Sequence, residues 1–98
     1  MDLNRATPRL ASKASLRWDA VRKKPILLYP EGVLILNRTA EAILSLCDGR
    51  RAVPAIVSEL ASRFGADPVA VQADVWQFLE ELRDRGLLLF AAPQEGQT

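Results

Sequence analysis

The 98-residue chain contains no histidine and only one cysteine, Cys47. Without histidine, the chain lacks the most common general base and the most common metal ligand. A single cysteine allows neither an internal disulfide nor a cysteine-rich metal site. The sequence also has no Gly-rich phosphate loop and no metal-ligand spacing. We therefore expect no catalytic residue, no metal site and no cofactor, and we expect that the chain is not an enzyme.

Long hydrophobic runs are also missing, since no apolar run approaches the ~20 residues that a membrane span needs. The first twenty residues carry charges throughout and lack the apolar core of a secretory signal. We therefore expect a cytoplasmic protein that does not bind membranes. Apolar residues make up 49% of the chain and charged residues 26%, which is typical of a soluble globular domain. A chain of this length forms one domain.

The charges are unevenly distributed along the chain. Residues 1–24 hold seven basic and two acidic side chains, whereas the remainder holds six basic and ten acidic ones. A basic end can bind nucleic acid or an acidic partner, but a solvated tail is the more common explanation. Residues 1–14 and 91–98 show no sustained hydrophobic period. We predict a flexible N-terminal arm over 1–14, a domain over 15–90 and a flexible C-terminal tail over 91–98.

The N-terminal part of the domain is predicted to form a three-stranded antiparallel sheet. A first strand lies within residues 16–21, and a hairpin joins residues 26–29 to residues 33–36 through Pro30-Glu31-Gly32. We expect a type I turn followed by a bulge, with Gly32 in the left-handed conformation.

The predicted turn sets the register of the hairpin. The type I turn with a bulge places Tyr29 opposite Val33, whereas a two-residue turn at Glu31-Gly32 places Pro30 there. In both registers, Val33 and Ile35 bond to the preceding strand, and the residues that alternate with them point their backbone groups to the free edge. Those outward residues are Leu34 and Leu36.

Three helices are predicted after the sheet. Asn37 is a suitable N-cap for the first, whose apolar stripe is Ala40, Ile43, Leu44 and Cys47. The second spans roughly 53–64 and ends at Gly65, and the third begins at Asp67-Pro68 and stops at Gly86. The predicted fold class is α+β and winged-helix-like, with three N-terminal antiparallel strands followed by three helices. Residues 87–90 form a short apolar exit, for which a single strand is an option.

The short joint between the second and third helices resembles a helix-turn-helix, so a DNA-binding transcriptional regulator is the alternative function. Residues 67–85 carry five acidic side chains and two arginines. Phosphate contacts supply most of the non-specific affinity for DNA, so this helix is poorly suited to read a base sequence. We expect no nucleic-acid partner.

The strand at residues 33–36 ends the predicted sheet and is apolar on both sides. Proteins use such free edges to capture extended peptides by strand addition. The third helix or a second copy of the chain can equally cover the edge. The residues alone do not decide between these possibilities. Cys47 is expected to be a buried structural residue because it lies on an apolar stripe.

Four segments resemble the PqqD family of pyrroloquinoline quinone (PQQ) biosynthesis proteins. They read LYPEG at 28–32, LNRTA at 36–40, ILSLCDG at 43–49 and DVWQFLEEL at 74–82, followed by Gly86. The resemblance covers about residues 16–89. It implies a peptide chaperone that binds the ribosomal precursor peptide PqqA and presents it to the radical S-adenosylmethionine enzyme PqqE. It also implies that the peptide lies between the third strand and the third helix.

We combine this implication with the residue pattern to predict the binding residues. Main-chain pairing is assigned to Val33, Leu34, Ile35 and Leu36, and side-chain selectivity to one flank of the third helix, formed by Asp74, Gln77, Phe78, Glu81 and Arg85. The opposite flank, with Gln72, Trp76 and Arg83, is the alternative, and there Trp76 is expected to face solvent. The first flank is favoured because Phe78 provides an apolar floor beside polar groups. We expect a monomer, or a weak or strand-exchanged homodimer.

Overall fold

The computed structural model describes residues 5–91, which form five strands and three helices. The elements are β1 (Thr7–Leu10), β2 (Ser15–Asp19), β3 (Lys24–Tyr29), β4 (Gly32–Ile35), α1 (Arg38–Ser45), α2 (Val53–Phe64), α3 (Pro68–Asp84) and β5 (Leu88–Ala91). Strands β2, β3 and β4 form one antiparallel sheet in that order, and β1 pairs with β5 in a second. The predicted α+β class and the three helices are confirmed, but the described chain has five strands rather than three.

The expectation of a flexible arm over residues 1–14 is wrong for Thr7–Leu10. These residues pair antiparallel with β5, with Thr7 opposite Ala91, and the side chains of Ala6 and Pro8 are buried. Proline is tolerated at position 8 because its nitrogen lies on the side of β1 away from β5, where its carbonyl oxygen accepts the N–H of Gly49 at 3.0 Å and no donor is needed. Of the predicted tail, only Ala91 is part of β5. Residues 1–4 and 92–98 lie outside the described part of the chain.

The loop between β3 and β4 ends one residue earlier than in either predicted register. Tyr29 lies opposite Gly32 and Leu28 opposite Val33, so the loop is Pro30-Glu31 alone. Glu31 and Pro30 both have negative φ, and so does Gly32. A type I turn needs no left-handed residue, so the loop closes without using the glycine. The predicted bulge and the predicted left-handed Gly32 are therefore wrong.

The observed register reverses the predicted direction of the backbone groups of β4. Residue pairs of an antiparallel ladder alternate between bonded and non-bonded. Beyond the end of β4, Leu36 donates its N–H to the carbonyl oxygen of Pro25 at 3.0 Å. Counting back in steps of two, Leu34 also bonds to β3, whereas Val33 and Ile35 point their N–H and C=O groups to the free edge.

All three helices begin where the sequence predicts, but α1 ends at Ser45, before Cys47 of its predicted stripe. The side chain of Asn37 accepts a hydrogen bond from the N–H of Ala40 at 2.7 Å, and that of Asp67 accepts one from the N–H of Val69 at 3.0 Å. Gly65 ends α2 in the left-handed conformation, with φ of 61°. None of the helices within residues 5–91 has the length and apolar character that crossing a membrane requires.

One apolar core joins the three helices to the inner face of the three-stranded sheet. Its fully buried members include Leu27, Val53, Ile56, Leu60, Val75, Leu79, Leu82, Leu87 and Leu88. Cys47 is buried among them, as predicted, and its thiol donates a hydrogen bond to the carbonyl oxygen of Ile43. Burial raises the pKa of Cys47 to about 12, so the thiol stays protonated and is not a nucleophile at neutral pH.

Candidate functional site

A groove runs between β4, the start of α1 and one side of α3. It consists of two adjoining recesses of about 200 Å³ and 280 Å³, which share Asn37, Ala40 and Phe78 in their walls. The first is lined by Leu34, Ile35, Leu36, Asn37, Ala40, Phe78, Glu81, Leu82 and Arg85. The second is lined by Asn37, Thr39, Ala40, Ile43, Asp74 and Phe78. Because the recesses share these wall residues, they lie side by side along the groove.

The linings show how α3 runs along the groove. Residues of β4 meet the C-terminal half of α3, up to Arg85. Residues of α1 meet the helix near Asp74 instead. The helix is therefore antiparallel to the path from β4 into α1, and Asp74 and Arg85 lie at opposite ends of the groove. Phe78 lies between them, packs against the core and forms an apolar floor.

The outer edge of β4 is the main-chain component of the site. In the described chain, β4 pairs only with β3, so the outward N–H and C=O groups of Val33 and Ile35 have no strand partner. The side chains of Val33 and Ile35 are 42% and 49% exposed, and Ile35 also lines the groove. An unpaired edge beside an apolar-floored groove has the geometry needed for strand addition.

Charged side chains form the rim of the groove. Asp74, Glu81 and Arg85 are exposed, and none of them makes an ion pair within residues 5–91. On another side of α3, Arg83 lies 3.7 Å from a carboxylate oxygen of Glu80. The rim charges of the groove are therefore available to a ligand.

Seven of the nine residues predicted for the site line this groove: Leu34, Ile35, Leu36, Asp74, Phe78, Glu81 and Arg85. Val33 lies on the open edge, outside the groove lining, and Gln77 is exposed but does not line the groove. Sequence reasoning missed the wall formed by Asn37, Thr39, Ala40, Ile43 and Leu82. The helical stripe identified some of these residues only as core, and their position beside α3 depends on the tertiary packing.

The alternative flank of α3 faces elsewhere. Trp76 stacks on Phe90 of β5, with ring centroids 5.7 Å apart, and the guanidinium of Arg83 lies 5.7 Å from the centroid of the same Phe90 ring. Trp76 is thus half-buried, and the prediction that it faces solvent is wrong, because β5 covers it. Trp76 and Gln72 line a separate groove of about 490 Å³ between α2 and α3, away from the edge of β4.

Residues 5–91 contain no cluster of histidine, cysteine or acidic side chains that can hold a metal ion. The carboxylate of Asp48, next to Cys47, is already bonded within its own turn. It accepts hydrogen bonds from the backbone N–H groups of Arg50 and Arg51 at 2.9 and 3.0 Å. These bonds, the one from Arg50 first, lower the pKa of Asp48. The carboxylate therefore stabilises the loop before α2.

Residues 26–88 match the family model for coenzyme PQQ synthesis protein D, PqqD. The chain belongs to the PqqD family. A Rhodopseudomonas palustris (strain BisB5) protein named PqqA binding protein is 42% identical over 81 residues, which are 83% of this chain and 79% of the relative. A PqqA binding protein of Klebsiella pneumoniae (strain 342) is 48% identical over 65 residues, 66% of this chain and 70% of that protein.

A solved structure of the PqqD family shares the fold. It is the solution NMR structure of the PqqD truncation of Methylobacterium extorquens PqqCD, with a TM-score of 0.73 and 39% sequence identity. The match covers 84% of this chain and 87% of that chain. That protein is described as a functional and stand-alone recognition element for ribosomally synthesised and post-translationally modified peptides (RiPPs). Strand β4 is the third strand of the three-stranded sheet. It is therefore the strand that, according to the resemblance, borders the peptide on the side opposite α3.

Proposed function

We propose that this chain is a non-catalytic peptide chaperone of PQQ biosynthesis. It binds the precursor peptide PqqA in the groove between β4 and α3 and presents it to the radical S-adenosylmethionine enzyme PqqE. The observation that carries the proposal is the unpaired edge of β4 beside the Phe78 floor, in a chain whose relatives are named PqqA binding proteins.

Strand addition at β4 accounts for affinity. The N–H and C=O groups of Val33 and Ile35 pair with an extended segment of PqqA, which becomes a fourth strand of the sheet. The side chains of Leu34 and Leu36 pack inward, so the edge is held rigid before the peptide arrives. A preformed edge lowers the entropy cost of binding, because only the peptide has to be ordered.

The groove accounts for selectivity and for presentation. An apolar side chain of the peptide packs on Phe78, while polar neighbours meet the rim of α3. Ordering a flexible chain costs about 1–2 kcal/mol per residue. A chaperone that has already extended one segment therefore offers the enzyme a peptide with fewer conformations to search.

The same architecture disfavours the alternative function. We propose that the sheet of β2, β3 and β4 and the three helices correspond to a winged-helix-like arrangement, in which α2 and α3 take the positions of a helix-turn-helix pair. Four of the five exposed charged side chains of α3 are acidic, and the phosphate groups of DNA repel them. We therefore propose that the protein binds no nucleic acid. We also propose that it is cytoplasmic and that it acts as a monomer or as a weak or strand-exchanged homodimer.

The test is a titration of fluorescently labelled PqqA with the purified protein, followed by addition of PqqE. We expect saturable peptide binding and a further anisotropy increase with the enzyme. Phe78→Ala should weaken peptide binding about tenfold, because aromatic floors supply much of the energy of such interfaces. Phe64→Ala removes the same ring from the end of α2, outside the groove, and should leave the affinity unchanged.

Two results would contradict the proposal. Equal loss of affinity in Phe64→Ala and Phe78→Ala would show that the peptide does not bind in this groove. A gel shift of duplex DNA at low salt, without peptide binding, would favour the transcriptional regulator instead.

A further inference from the structure

The rim charges of the groove are arranged with a direction. Asp74 lies at the α1 end, and Arg85 at the β4 end. Glu81 stands between Phe78 and Arg85, and none of these three charged groups makes an ion pair within the described chain. By contrast, the guanidinium of Arg83, on another side of the helix, lies near both Glu80 and Asp84. The α1 end of the groove therefore carries one carboxylate, that of Asp74, and the β4 end carries Arg85 with Glu81 beside it.

Three further charged residues lie close to the groove. Lys24, Arg38 and Glu41 line a neighbouring recess, which shares three wall residues with the groove at the end of β4. Within the groove itself, Asp74 is the charged residue of the α1 end.

The separation of the two ends can be compared with an extended peptide. Eleven residues separate Asp74 from Arg85, so a rise of 1.5 Å per residue places them about 16 Å apart along the helix. A strand advances about 3.3 Å per residue, and its side chains return to the same face at every second residue. Two peptide residues four positions apart have side chains on the same face and lie about 13 Å from each other. Flexible side chains then reach across the rest of the distance between Asp74 and Arg85. The position between them then lies over Phe78.

The direction of the bound strand follows from the sheet. Every pairing in the described sheets is antiparallel, and antiparallel pairing is slightly more stable per residue than parallel pairing. A peptide antiparallel to β4 has its N-terminal part at the α1 end, near Asp74. Its C-terminal part then lies near Arg85.

We propose that the groove selects a peptide segment in which a basic residue precedes an acidic residue by four positions, with an apolar residue midway. The basic side chain lies at Asp74, the apolar one on Phe78 and the acidic one at Arg85. Glu81 disfavours a second acidic residue at the middle position. This assignment rests on the proposed function, since it assumes that PqqA binds along β4, and it adds an orientation and a charge order to that function.

A charge-reversal cycle tests the assignment. Asp74→Lys and Arg85→Glu each replace an attraction with a repulsion, and we expect each to weaken binding of synthetic PqqA about three- to tenfold at low salt. Asp84→Lys is the matched control, because it makes the same change on the same helix outside the groove, and its effect should stay below about twofold. Circular dichroism verifies that each variant is folded.

The order of the charges is read by reversing each charged residue of PqqA in turn. One basic residue, changed to Glu, should restore binding to Asp74→Lys. Changing one acidic residue of PqqA to Lys should restore binding to Arg85→Glu. That acidic residue should lie four positions C-terminal to the basic residue whose change restores binding to Asp74→Lys. Rescue in this order supports the assignment.

The assignment would be overturned if the rescuing acidic residue preceded the rescuing basic residue, or if the two were not four positions apart. Equal effects of Asp74→Lys, Arg85→Glu and the Asp84→Lys control would also overturn it. In both cases the wild-type protein still binds PqqA, so the proposed function stands. Failure of the wild-type protein to bind PqqA is a separate result, which refutes the proposed function itself.

Discussion

Replacing Ile35 with proline should separate peptide binding from folding. The N–H of Ile35 points to the free edge of β4, so the folded protein does not use it, whereas an added strand does. Proline is accepted on an edge strand when its missing N–H faces outward. It also confines the preceding residue to the extended region, where Leu34 already lies. The side chain of Ile35 is 49% exposed, so truncating it removes little core packing.

The expected magnitudes follow from these contacts. Relative to Ile35→Ala, Ile35→Pro should change the free energy of unfolding by no more than about 1 kcal/mol. It leaves one peptide carbonyl unpaired, which costs about 1–3 kcal/mol, so peptide binding should weaken about fivefold or more. Leu34→Pro instead removes a ladder bond to Leu27 and a side chain packed on the core. We expect it to destabilise the domain by about 3 kcal/mol or more, or over 12 °C in Tm.

Thermal melting by circular dichroism and anisotropy titration with labelled PqqA measure the two effects separately. If Ile35→Pro unfolds the domain, the outward direction of its N–H is wrong. If Ile35→Pro binds the peptide as tightly as Ile35→Ala, strand addition at this edge is wrong. A folded Leu34→Pro with impaired binding would restore the register predicted from the sequence.

Three further predictions concern other parts of the chain. Gly49 has φ of 78°, and a Cβ there would lie 3.4 Å from Cδ of Arg9. Gly49→Ala should therefore lower the free energy of unfolding by about 1 kcal/mol in denaturant titrations. Gly32→Ala is the control and should be nearly neutral, because the φ of Gly32 is not positive. Iodide should quench mainly Trp18, which is 62% exposed, rather than the stacked Trp76, and a Trp18→Phe variant that keeps most of the quenchable fluorescence would contradict this. Cys47 should react with a thiol reagent at pH 8 only after denaturation, and fast labelling of the native protein would contradict its burial.

Local signals were enough to predict the helices from the sequence. Asn37 and Asp67 bond the first turn of the helix that follows each of them, and Gly65 ends α2 as a left-handed residue. These interactions span only a few residues, so residue type and spacing carry them. The helical stripes also identified the buried faces, including that of Cys47, because a helix with one apolar side must pack that side inward.

The binding flank of α3 was predicted in part. Phe78, Glu81 and Arg85 recur at helical spacing, so their common face could be read from the sequence. The groove also needs Thr39, Ala40 and Ile43 of α1, and their distance from α3 is set by how the helices pack. The solvent-facing position predicted for Trp76 failed for the same reason, since Phe90 contacts it from β5, the strand that follows α3.

Only the tertiary structure decided two features of the sheets: the pairing of β1 with β5 and the direction of the backbone groups on β4. Strands β1 and β5 have four residues each and lie about eighty residues apart. Neither strand adjoins a hairpin turn of the kind that marks β4 in the sequence, and the partner of each is set by how the residues between them pack. The direction of the edge groups on β4 depended on a loop that ends at Glu31, one residue earlier than in either predicted register. Because a strand repeats every two residues, that single residue exchanged the inward and outward groups, and with them the residues available to a peptide.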